Sequence, residues 1–460
     1  MLCGVIPRIK SDQHPSNWLL AVSVNSQFSP AMSRSAAKAV DILVVGGGIV
    51  GNAFVSGLLR KTKAKDVLKI GIVDLKPPPS LDECMAMEKP DPRVYALSPR
   101  SIQALNDIGV WEQIQSRAQP YSRMVVWEQA SEEHVEFNAS SLSVKHLGMI
   151  AEDKVIHASL CDHLKQYELN TVEFVYGAAV DKIRFTPSSC EVSLKHPNNE
   201  SSVFSAKLIL GADGSNSVVR RISGLSQWGW GYGQDALVAT VKVDSQQVTA
   251  WQKYLETGPL AVLPLWSQYS SIVWSLPSLE AQRLKSLSDD DFKAALNEAL
   301  QRPSQSLPFP LRRFFGESKR IVAPLIESIE SPRLSFPLQF QNAKAYVGRR
   351  VALLGDAAHS IHPQAGQGLN LGIQDADTLS SVLAQGLATG QDLGDTLLLS
   401  KYGERQYLAN IAMMGSVDAI HSVFSSNMAH VQVLRALGLR AFDNLHVVKN
   451  QVAKFAMGFR

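Results

Sequence analysis

A glycine-rich turn at residue 46 constrains this chain more than any other feature. The apolar run of residues 41–46 (DILVVG) has the composition of a strand buried on both faces, and residues 46–51 (GGGIVG) follow from it directly. Gly46 permits a tight turn, Gly48 allows a pyrophosphate to approach the backbone, and Gly51 allows the next helix to pack against the strand. The sequence therefore predicts a Rossmann-like βαβ unit that binds a dinucleotide at a helix N-terminus.

Asp74 ends the second apolar run, residues 69–74 (KIGIVD), which we expect to be the next parallel strand. Its carboxylate is then placed to accept hydrogen bonds from a ribose hydroxyl. This order of elements favours a dinucleotide over a glycine turn without a ligand, but it does not separate NAD from FAD. Residues 42–59 carry no charge over nearly the length of a membrane span, yet their five glycines predict a buried βα unit instead.

A second turn, residues 211–220 (GADGSNSVVR), also follows an apolar strand. An Asp-Gly turn at the end of a strand can present its carboxylate and backbone amides to a phosphate-linked sugar. Taken alone, Asp213 and Gly214 would suit an ordinary surface turn equally well. Because the turn recurs in register with the other motifs and leads to Arg220, we expect it to belong to the same site.

The third motif, residues 355–370 (GDAAHSIHPQAGQGLN), again follows an apolar strand. A carboxylate at the strand end, that of Asp356, can bind the ribityl hydroxyls of a flavin. The glycines of residues 365–368 (AGQG) allow backbone to lie against a flat ring. A helix that begins near residues 368–370 would direct its positive end at the flavin pyrimidine and stabilise the reduced ring.

Metal and disulfide sites are not expected. Asp356, His359 and His362 form a candidate ligand set, but the turn before Pro363 disfavours their convergence, and structural histidines are the favoured interpretation. The cysteines have no CxxC spacing, which suits a reducing compartment: Cys3, Cys84, Cys161 and Cys190. The sequence contains no second GxGxxG, so the reductant is expected to bind transiently or to arrive through another protein.

The three motifs together resemble those of the FAD-dependent aromatic-ring hydroxylases, the group that contains para-hydroxybenzoate hydroxylase. Within this group the chain resembles the ubiquinone-biosynthesis hydroxylases over residues 40–460, and its most specific run is residues 362–375 (HPQAGQGLNLGIQD). Residues 91–98 (DPRVYALS), which include Arg93, support the resemblance. Gln364 departs from the family, which usually has an aliphatic residue there. An amide at this position would make the surroundings of the reacting site more polar.

The resemblance implies a set of site residues, all of them contacts of the cofactor or the substrate. The cofactor contacts are Gly46, Gly48, Gly51 and Asp74 at the ADP part, Asp356 at the ribityl chain, Arg93, Asp213, Gly214 and Arg220 near the cofactor or its reductant, and also Gly355, Gln367 and Asn370. Pro363, Gly366 and Gly368 would line the isoalloxazine ring and the substrate. No general base is assigned.

The resemblance also implies an activity. NAD(P)H would reduce FAD, O2 would add to give a flavin hydroperoxide, and the distal oxygen would pass to the ring of a polyprenylated phenol in ubiquinone biosynthesis. Trp274, Leu263 and Phe336 would line an apolar substrate pocket, although ordinary core packing explains them equally well. The alternatives are an isoprenoid-directed flavoprotein reductase of the same fold and a non-catalytic prenyl-binding protein.

The expected fold class is α/β (α+β), with a Rossmann-like FAD-binding domain, an inserted antiparallel β-sheet substrate domain and C-terminal helices. An amphipathic helix is predicted near residues 281–296. The predicted ranges are 41–115, 151–225 and 340–395 for the FAD-binding domain, 116–150 and 226–339 for the substrate domain, and 396–460 for the C-terminal helices. Residues 1–40 would be an extension, disordered or targeting; their Ser-rich, acid-poor composition resembles a transit peptide only roughly.

Charge gives little reason to expect nucleic acid as a partner, because residues 41–460 carry balanced charge. Residues 401–460 are mildly basic, and their apolar positions recur at helical spacing: Val417, Ile420, Phe424, Val431, Leu434 and Leu437. Packing against the core is one interpretation, and docking on an anionic membrane that holds a polyprenyl substrate is the other. The expected location is the bacterial cytoplasm, peripheral to the inner membrane and in contact with ubiquinone-biosynthesis proteins, or alternatively the matrix side of the mitochondrial inner membrane.

Overall fold

The structure is a computed structural model that describes residues 37–458 apart from 64–67, 130, 132, 169, 304–320 and 427. Most of the predicted N-terminal extension therefore lies outside the described residues. The first strand begins at Lys38, inside the range predicted for the extension. Val40 is buried in the core, and Lys38 Nζ forms an ion pair of 2.5 Å with Glu173, so these residues belong to the folded unit.

Helices and strands alternate at the start of the chain, and helices dominate its end. The helices are α1 (Ile49–Lys61), α2 (Leu81–Ala86), α3 (Pro99–Asp107), α4 (Trp111–Gln115), α5 (Asp153–Lys165), α6 (Val218–Ile222), α7 (Ser278–Ser286), α8 (Asp289–Gln301), α9 (Gly368–Ala388), α10 (Thr396–Phe424), α11 (Ala429–Asn444) and α12 (His446–Ala456). The strands are β1 (Lys38–Val45), β2 (Ile70–Asp74), β3 (Val94–Leu97), β4 (Gln119–Tyr121), β5 (Arg123–Glu128), β6 (His134–Asn138), β7 (Gly148–Glu152), β8 (Val172–Tyr176), β9 (Ala179–Phe185), β10 (Cys190–Lys195), β11 (Ser201–Gly211), β12 (Gln227–Val243), β13 (Thr249–Leu255), β14 (Gly258–Pro264), β15 (Tyr269–Pro277), β16 (Ile326–Ile329), β17 (Leu334–Ala343), β18 (Val347–Gly348), β19 (Val351–Leu353) and β20 (His359–Ser360).

The first sheet contains the predicted βαβ unit. Its strand order is β18-β19-β11-β1-β2-β8, and β9 and β10 continue it beyond β11. Strand β1 pairs in parallel with β2 and β11, and β11 pairs in parallel with β19. Ile42, Leu43 and Val44 at its centre are fully buried. Because the carboxyl ends of parallel strands lie at one edge of a sheet, the turns that follow β1, β11 and β19 meet there.

The second sheet has the order β20-β17-β12-β15-β14-β13-β5-β6, with β16 beside β12. Its pairs are antiparallel except for β5 and β13. A third, small sheet joins β3, β7 and β4. The predicted fold class is confirmed by these sheets and the C-terminal helices. The domain boundaries stay a prediction; β17 runs across the boundary placed at residue 340.

The helix predicted near residues 281–296 is two helices, α7 and α8. Ser288 separates them, because its hydroxyl accepts a hydrogen bond of 3.1 Å from the amide of Asp291 and begins a new helix. Acidic residues fill the first turn of α8, where the helix dipole favours them. Both helices still bury one apolar face, which includes Leu284, Phe292 and Leu296.

Some of the C-terminal apolar positions pack against the core, as one interpretation of the sequence has it, and others are exposed, as the membrane-docking interpretation requires. Val417 is buried, and the Phe424 ring stacks on Tyr254 with centroids 3.9 Å apart. Ile420 and Leu434, in contrast, are exposed by 43% and 66%. Among the described residues, no helix combines the length and the apolar character needed to cross a membrane.

Candidate active site

The glycine-rich turn after β1 packs against the turn after β11. Gly46 has a φ of +104°, and a Cβ there would overlap the carbonyl oxygen of Ala212. A Cβ at Gly51 would overlap the carbonyl oxygen of Gly46, so α1 approaches the end of the strand closely. A Cβ at Gly48 would meet no heavy atom within 4 Å. Since no described side chain caps the first turn of α1, its N–H groups and the open space above Gly48 suit a pyrophosphate.

Asp74 lies at the end of β2, where its carboxylate is held by two backbone amides. One oxygen accepts from Gly47 N at 2.8 Å, and the other accepts from Lys76 N at 2.9 Å. The carbonyl of Gly47 is in turn bound by Asn52 Nδ2 at 2.6 Å and by His157 Nε2 at 2.7 Å. Sequence reasoning missed His157, because it comes from α5, 110 residues along the chain.

The carboxylate of Asp213 and the guanidinium of Arg220 are both engaged within the protein. Asp213 accepts from the Ser217 hydroxyl at 2.5 Å and from the amide of Val218 at 2.7 Å, so it holds the start of α6. Arg220 is buried and donates to the carbonyl oxygens of Ser215 and Ala357, each at 2.7 Å. Asp213 thus braces the second motif internally, and Arg220 ties it to the third. The role expected for both residues near the cofactor or its reductant stays a prediction.

Asp356 faces the opening between these turns. Its side chain is exposed, while the protein that surrounds it raises the pKa of the carboxyl by desolvation, against the opposing charges of His359 and Arg93. A side chain that is both accessible and surrounded by protein lies in a concave surface. Gly355 before it has a φ of +55°, which lets β19 turn sharply at this point.

Arg93 belongs to a loop that is bound to the second sheet, and its charge acts on the carboxyl of Asp356. Thr240 Oγ1 donates to the carbonyl of Pro90 at 3.1 Å, and Ser271 Oγ donates to that of Pro92 at 3.3 Å. The side chain of Arg93 is 57% exposed, and its Nε lies 3.6 Å from Asp153. Arg93 therefore stays accessible to a ligand in the cleft.

Asn370 fixes the loop before α9 rather than facing the cleft. It is buried, and its Nδ2 donates to the carbonyls of Ala96 at 2.8 Å and Gly366 at 2.9 Å. Its Oδ1 accepts from Ser98 N at 2.9 Å. Gly366 has a φ of +60° and packs against Ala96, so the loop lies tightly on β3. The polar atoms of Asn370 are thus occupied by backbone, and its expected contact with the cofactor stays a prediction.

The rest of this loop contacts the C-terminal helices. Gln367 precedes Gly368, the first residue of α9, and its Nε2 lies 3.3 Å from the carbonyl of Ala456 in α12. Gln364 donates from its Nε2 to the carbonyl of Val417 in α10 at 2.7 Å. The departure of Gln364 from the family pattern therefore places an amide against α10.

His359 and His362 have different surroundings and different partners. His359 Nε2 lies 2.6 Å from Asp375. The ring of His362 lies 4.6 Å from that of His421 and 5.1 Å from that of Tyr232, and burial lowers its pKa to about 3. Sequence reasoning did not single out His421 as a neighbour of this loop. Among the described residues, no group of three or more His, Cys, Asp or Glu side chains could hold a metal ion.

The second sheet faces the cleft with one side and α7 and α8 with the other. Trp274 belongs to the core on the helix side, so the structure agrees with the core-packing interpretation of this residue. Leu263 pairs with Ser271, whose hydroxyl binds the loop of Arg93, and cross-strand partners share a face. Phe336 pairs with Ala236 and is 38% exposed. Leu263 therefore lies on the opposite face from Trp274, toward the cleft.

The cleft fits a dinucleotide that carries a flavin. A Cβ at Gly48 or at Gly214 would meet open space, which leaves the backbone of both turns open to a ligand. The accessible carboxylates of Asp74 and Asp356 lie at the ends of two strands of one sheet. Two acceptors for sugar-like hydroxyls with an anion site beside α1 match the ribose, ribityl and phosphate groups of FAD.

Comparison with known proteins agrees with this arrangement. The chain matches the FAD binding domain family over residues 39–328 and 329–415. It is 35% identical to the mitochondrial ubiquinone biosynthesis monooxygenase COQ6 of Caenorhabditis elegans, over 93% of this chain and 98% of that protein. It is 32% identical to the 3-demethoxyubiquinol 3-hydroxylase of Escherichia coli, over 91% of this chain and 98% of that protein. The chain belongs to the ubiquinone biosynthesis monooxygenase family.

The chain has the same fold as flavin-dependent enzymes whose structures are solved. The p-nitrophenol 4-monooxygenase PnpA of Pseudomonas putida superposes with a TM-score of 0.70 at 17% identity, over 92% of this chain and 99% of that one. A variant of Klebsiella pneumoniae HpxO complexed with FAD superposes with a TM-score of 0.64 at 15% identity, over 91% and 98%. The FAD binding domain and the monooxygenase relatives show that the chain is an FAD-dependent monooxygenase, and the prediction of FAD as its cofactor is confirmed.

Proposed function

We propose that this monooxygenase hydroxylates the aromatic ring of a polyprenylated phenol, with NAD(P)H as a transient reductant and O2 as the second substrate. The observation that supports this most directly is the meeting of three motif turns at one edge of the first sheet, beside an accessible apolar face of the second. Bound FAD would supply the redox and oxygen-transfer chemistry at this place.

We propose a placement of FAD that follows the openings in the turns. The pyrophosphate would lie against Gly48 and the N-terminus of α1, the ribose at Asp74 and the ribityl chain at Asp356. The flat ring would lie against the loop of residues 363–368. Gly366 supports this placement, because its positive φ bends the loop and its lack of a Cβ keeps the backbone close to Ala96.

The substrate would lie between this loop and the second sheet. Ala261, Leu263 and Val273 share the face toward the cleft and are each partly accessible. Such a surface suits a prenylated ring and excludes water from the reacting atoms. We assign no general base, and the contribution of these side chains is to orient the ring and to keep the site dry.

Anaerobic bleaching of the bound flavin by NADPH, with and without a short-chain prenylphenol, tests the proposal. Faster bleaching with the phenol, followed by one oxygen added to the product on exposure to air, is the expected result. Reduction of a prenyl double bond without oxygen uptake would instead identify an isoprenoid reductase. If the chain binds the phenol but its flavin is reduced neither by NADPH nor by a reducing partner protein, the chain is a prenyl-binding protein.

We also propose that the C-terminal helices dock on a membrane where the polyprenyl substrate resides. Apolar side chains are exposed along this part of the chain: Ile420, Val423, Leu434, Leu445, Val447, Val448, Val452 and Phe455. Part of the basic excess, however, is neutralised by acids. Arg435 pairs with Glu128, Arg440 with Glu133, and Lys449 with Asp443. Apolar burial would therefore contribute more to docking than attraction to anionic lipids.

Sedimentation with lipid vesicles tests this docking. We expect the full-length protein to bind neutral vesicles almost as well as anionic ones, and 0.5 M salt to weaken the binding only slightly, since salt screens charges and not apolar contacts. Val447→Asp, which places a charge on an exposed apolar position, should weaken binding, while Asn444→Asp serves as its matched control. No binding to either vesicle at low salt would rule the docking out.

The names of the relatives bear on the location. The relative from Caenorhabditis elegans and its counterpart from Homo sapiens are both named as mitochondrial. They support the matrix side of the mitochondrial inner membrane, which was the alternative, over the bacterial cytoplasm that the sequence favoured. Fractionation of the source cells with detection of the chain in the mitochondrial matrix-side membrane fraction would test the location. Contacts with other ubiquinone-biosynthesis proteins stay a prediction.

A further inference from the structure

A buried carboxylate lies directly behind the turn that carries Asp356. Asp375 in α9 is fully buried, and one of its oxygens accepts from Gly355 N at 3.0 Å and lies 2.6 Å from His359 Nε2. Its other oxygen accepts from Gln406 Nε2 and Asn410 Nδ2, each at 3.0 Å. Four donors, two from the turn and two from α10, thus converge on a single carboxylate of α9.

Such a carboxylate is stable inside a protein only if its charge is compensated. Burial by itself would lower the pKa of His359, but the neighbouring Asp375 raises it above its ordinary value overall. Both side chains of this pair are fully buried, and protonation of His359 would compensate the charge of the carboxylate. Neither side chain lies open to the cleft, so neither is a cofactor contact.

The two donors from the turn stand at its two ends, since Gly355 precedes Asp356 by one residue and His359 follows it by three. We infer that Asp375 is a positioning residue that holds this turn so that Asp356 faces the ribityl chain of FAD. The inference rests on the proposed placement of FAD. Through Gln406 and Asn410 the same carboxylate also fastens α10 to the turn.

Measurement of the FAD dissociation constant of the apoprotein, by quenching of flavin fluorescence, tests the inference. Asp375→Asn should weaken FAD binding by about tenfold to a hundredfold, the loss expected when hydrogen bonds to a buried charge are removed. Asp377→Asn is the matched control, because the same change two residues along α9 touches only the partly exposed ion pairs of Asp377 with Lys61 and Arg100. The control should stay within about twofold of the parent.

The pH dependence of FAD binding separates positioning by charge from a purely structural contact. His359 faces Asp375 from α9, Asp356 from its own turn and the ring of Tyr346, whose centroid is 5.7 Å away. Because the pKa of His359 is raised in the folded protein, the ion pair is present below that pKa and is lost as the pH rises through it. FAD binding by the parent should therefore weaken as the pH rises through this raised pKa, which lies above the ordinary imidazole value of about 6.5. Asp375→Asn should lack this dependence.

A milder variant keeps the inference testable if Asp375→Asn does not fold. Gln406→Met removes one of the four donors at nearly constant volume, and it should weaken FAD binding by about twofold to tenfold. A folded variant whose FAD affinity and pH profile equal those of the parent would overturn the inference. Failure of prenylphenol hydroxylation in a chain that shows these FAD effects would overturn the proposed function and leave this inference standing.

Discussion

Two aspartates that each follow a strand of the same sheet have opposite surroundings. The carboxylate of Asp213 accepts hydrogen bonds from the Ser217 hydroxyl and from the amide of Val218, while Asp356 remains exposed in the cleft. Both were predicted from the sequence as cofactor contacts of similar kind. The comparison shows that a motif residue can serve the site in two ways: it either faces the ligand or holds its own turn in shape.

The same distinction between holding the turns and facing the ligand applies to the glycines of the first turn, where we expect the largest effect of a substitution. Gly46→Ala should destabilise the protein by about 3 kcal/mol or more, because the added Cβ overlaps the Ala212 carbonyl and the φ of +104° strains any side chain. Thermal unfolding of the apoprotein measures this loss. If Gly46→Ala melted at the temperature of the parent, the close packing of the first two turns would be refuted.

Gly48→Ala is the matched variant in the same turn. Its Cβ would meet open space, and the φ of −74° is ordinary, so we expect a change in stability below about 1 kcal/mol. FAD binding should weaken clearly, since the methyl group occupies the space proposed for the pyrophosphate. Unchanged FAD affinity in this variant would contradict that placement.

Substitution of the two aspartates breaks the comparison directly. Asp356→Ala should weaken FAD binding by about tenfold to a hundredfold and leave the melting temperature of the apoprotein unchanged. Asp213→Ala should instead lower the stability by about 1–2 kcal/mol, the usual loss when a helix start loses its side-chain acceptor. Titration with FAD and thermal unfolding of both apoproteins measure the two effects. The reverse pattern would exchange the roles assigned here.

The smallest effect is expected at Gln364, in the third motif. Gln364→Leu restores the aliphatic residue typical of the family and removes one hydrogen bond to Val417. It also removes a buried Oε1 that has no partner among the described residues. Since these two changes oppose each other, the stability should shift by less than about 1 kcal/mol. Differential scanning calorimetry checks this, and a loss several times larger would show that Gln364 fastens α10 to the loop.

Local elements were predictable because their signals are local. The strand that ends in the glycine turn and the strand of Asp74 both appear in the structure as expected. The prediction of one helix over residues 281–296 was wrong, because the apolar spacing continues across Ser288 although the backbone does not. Apolar periodicity reports which face is buried and does not report where a cap interrupts a helix.

The sequence by itself determined the three turns, the cofactor class and the family, because glycines and acids at the ends of strands act through the backbone next to them. Only the tertiary structure decided which of these side chains face the cleft. Asp375 meets Gly355 across 20 residues, and Arg220 meets Ala357 across 137. Trp274 and Leu263 lie on opposite faces of one sheet. Strand register and the packing of distant segments decide such partners. Neither the register nor the packing can be inferred from the residues that flank a motif.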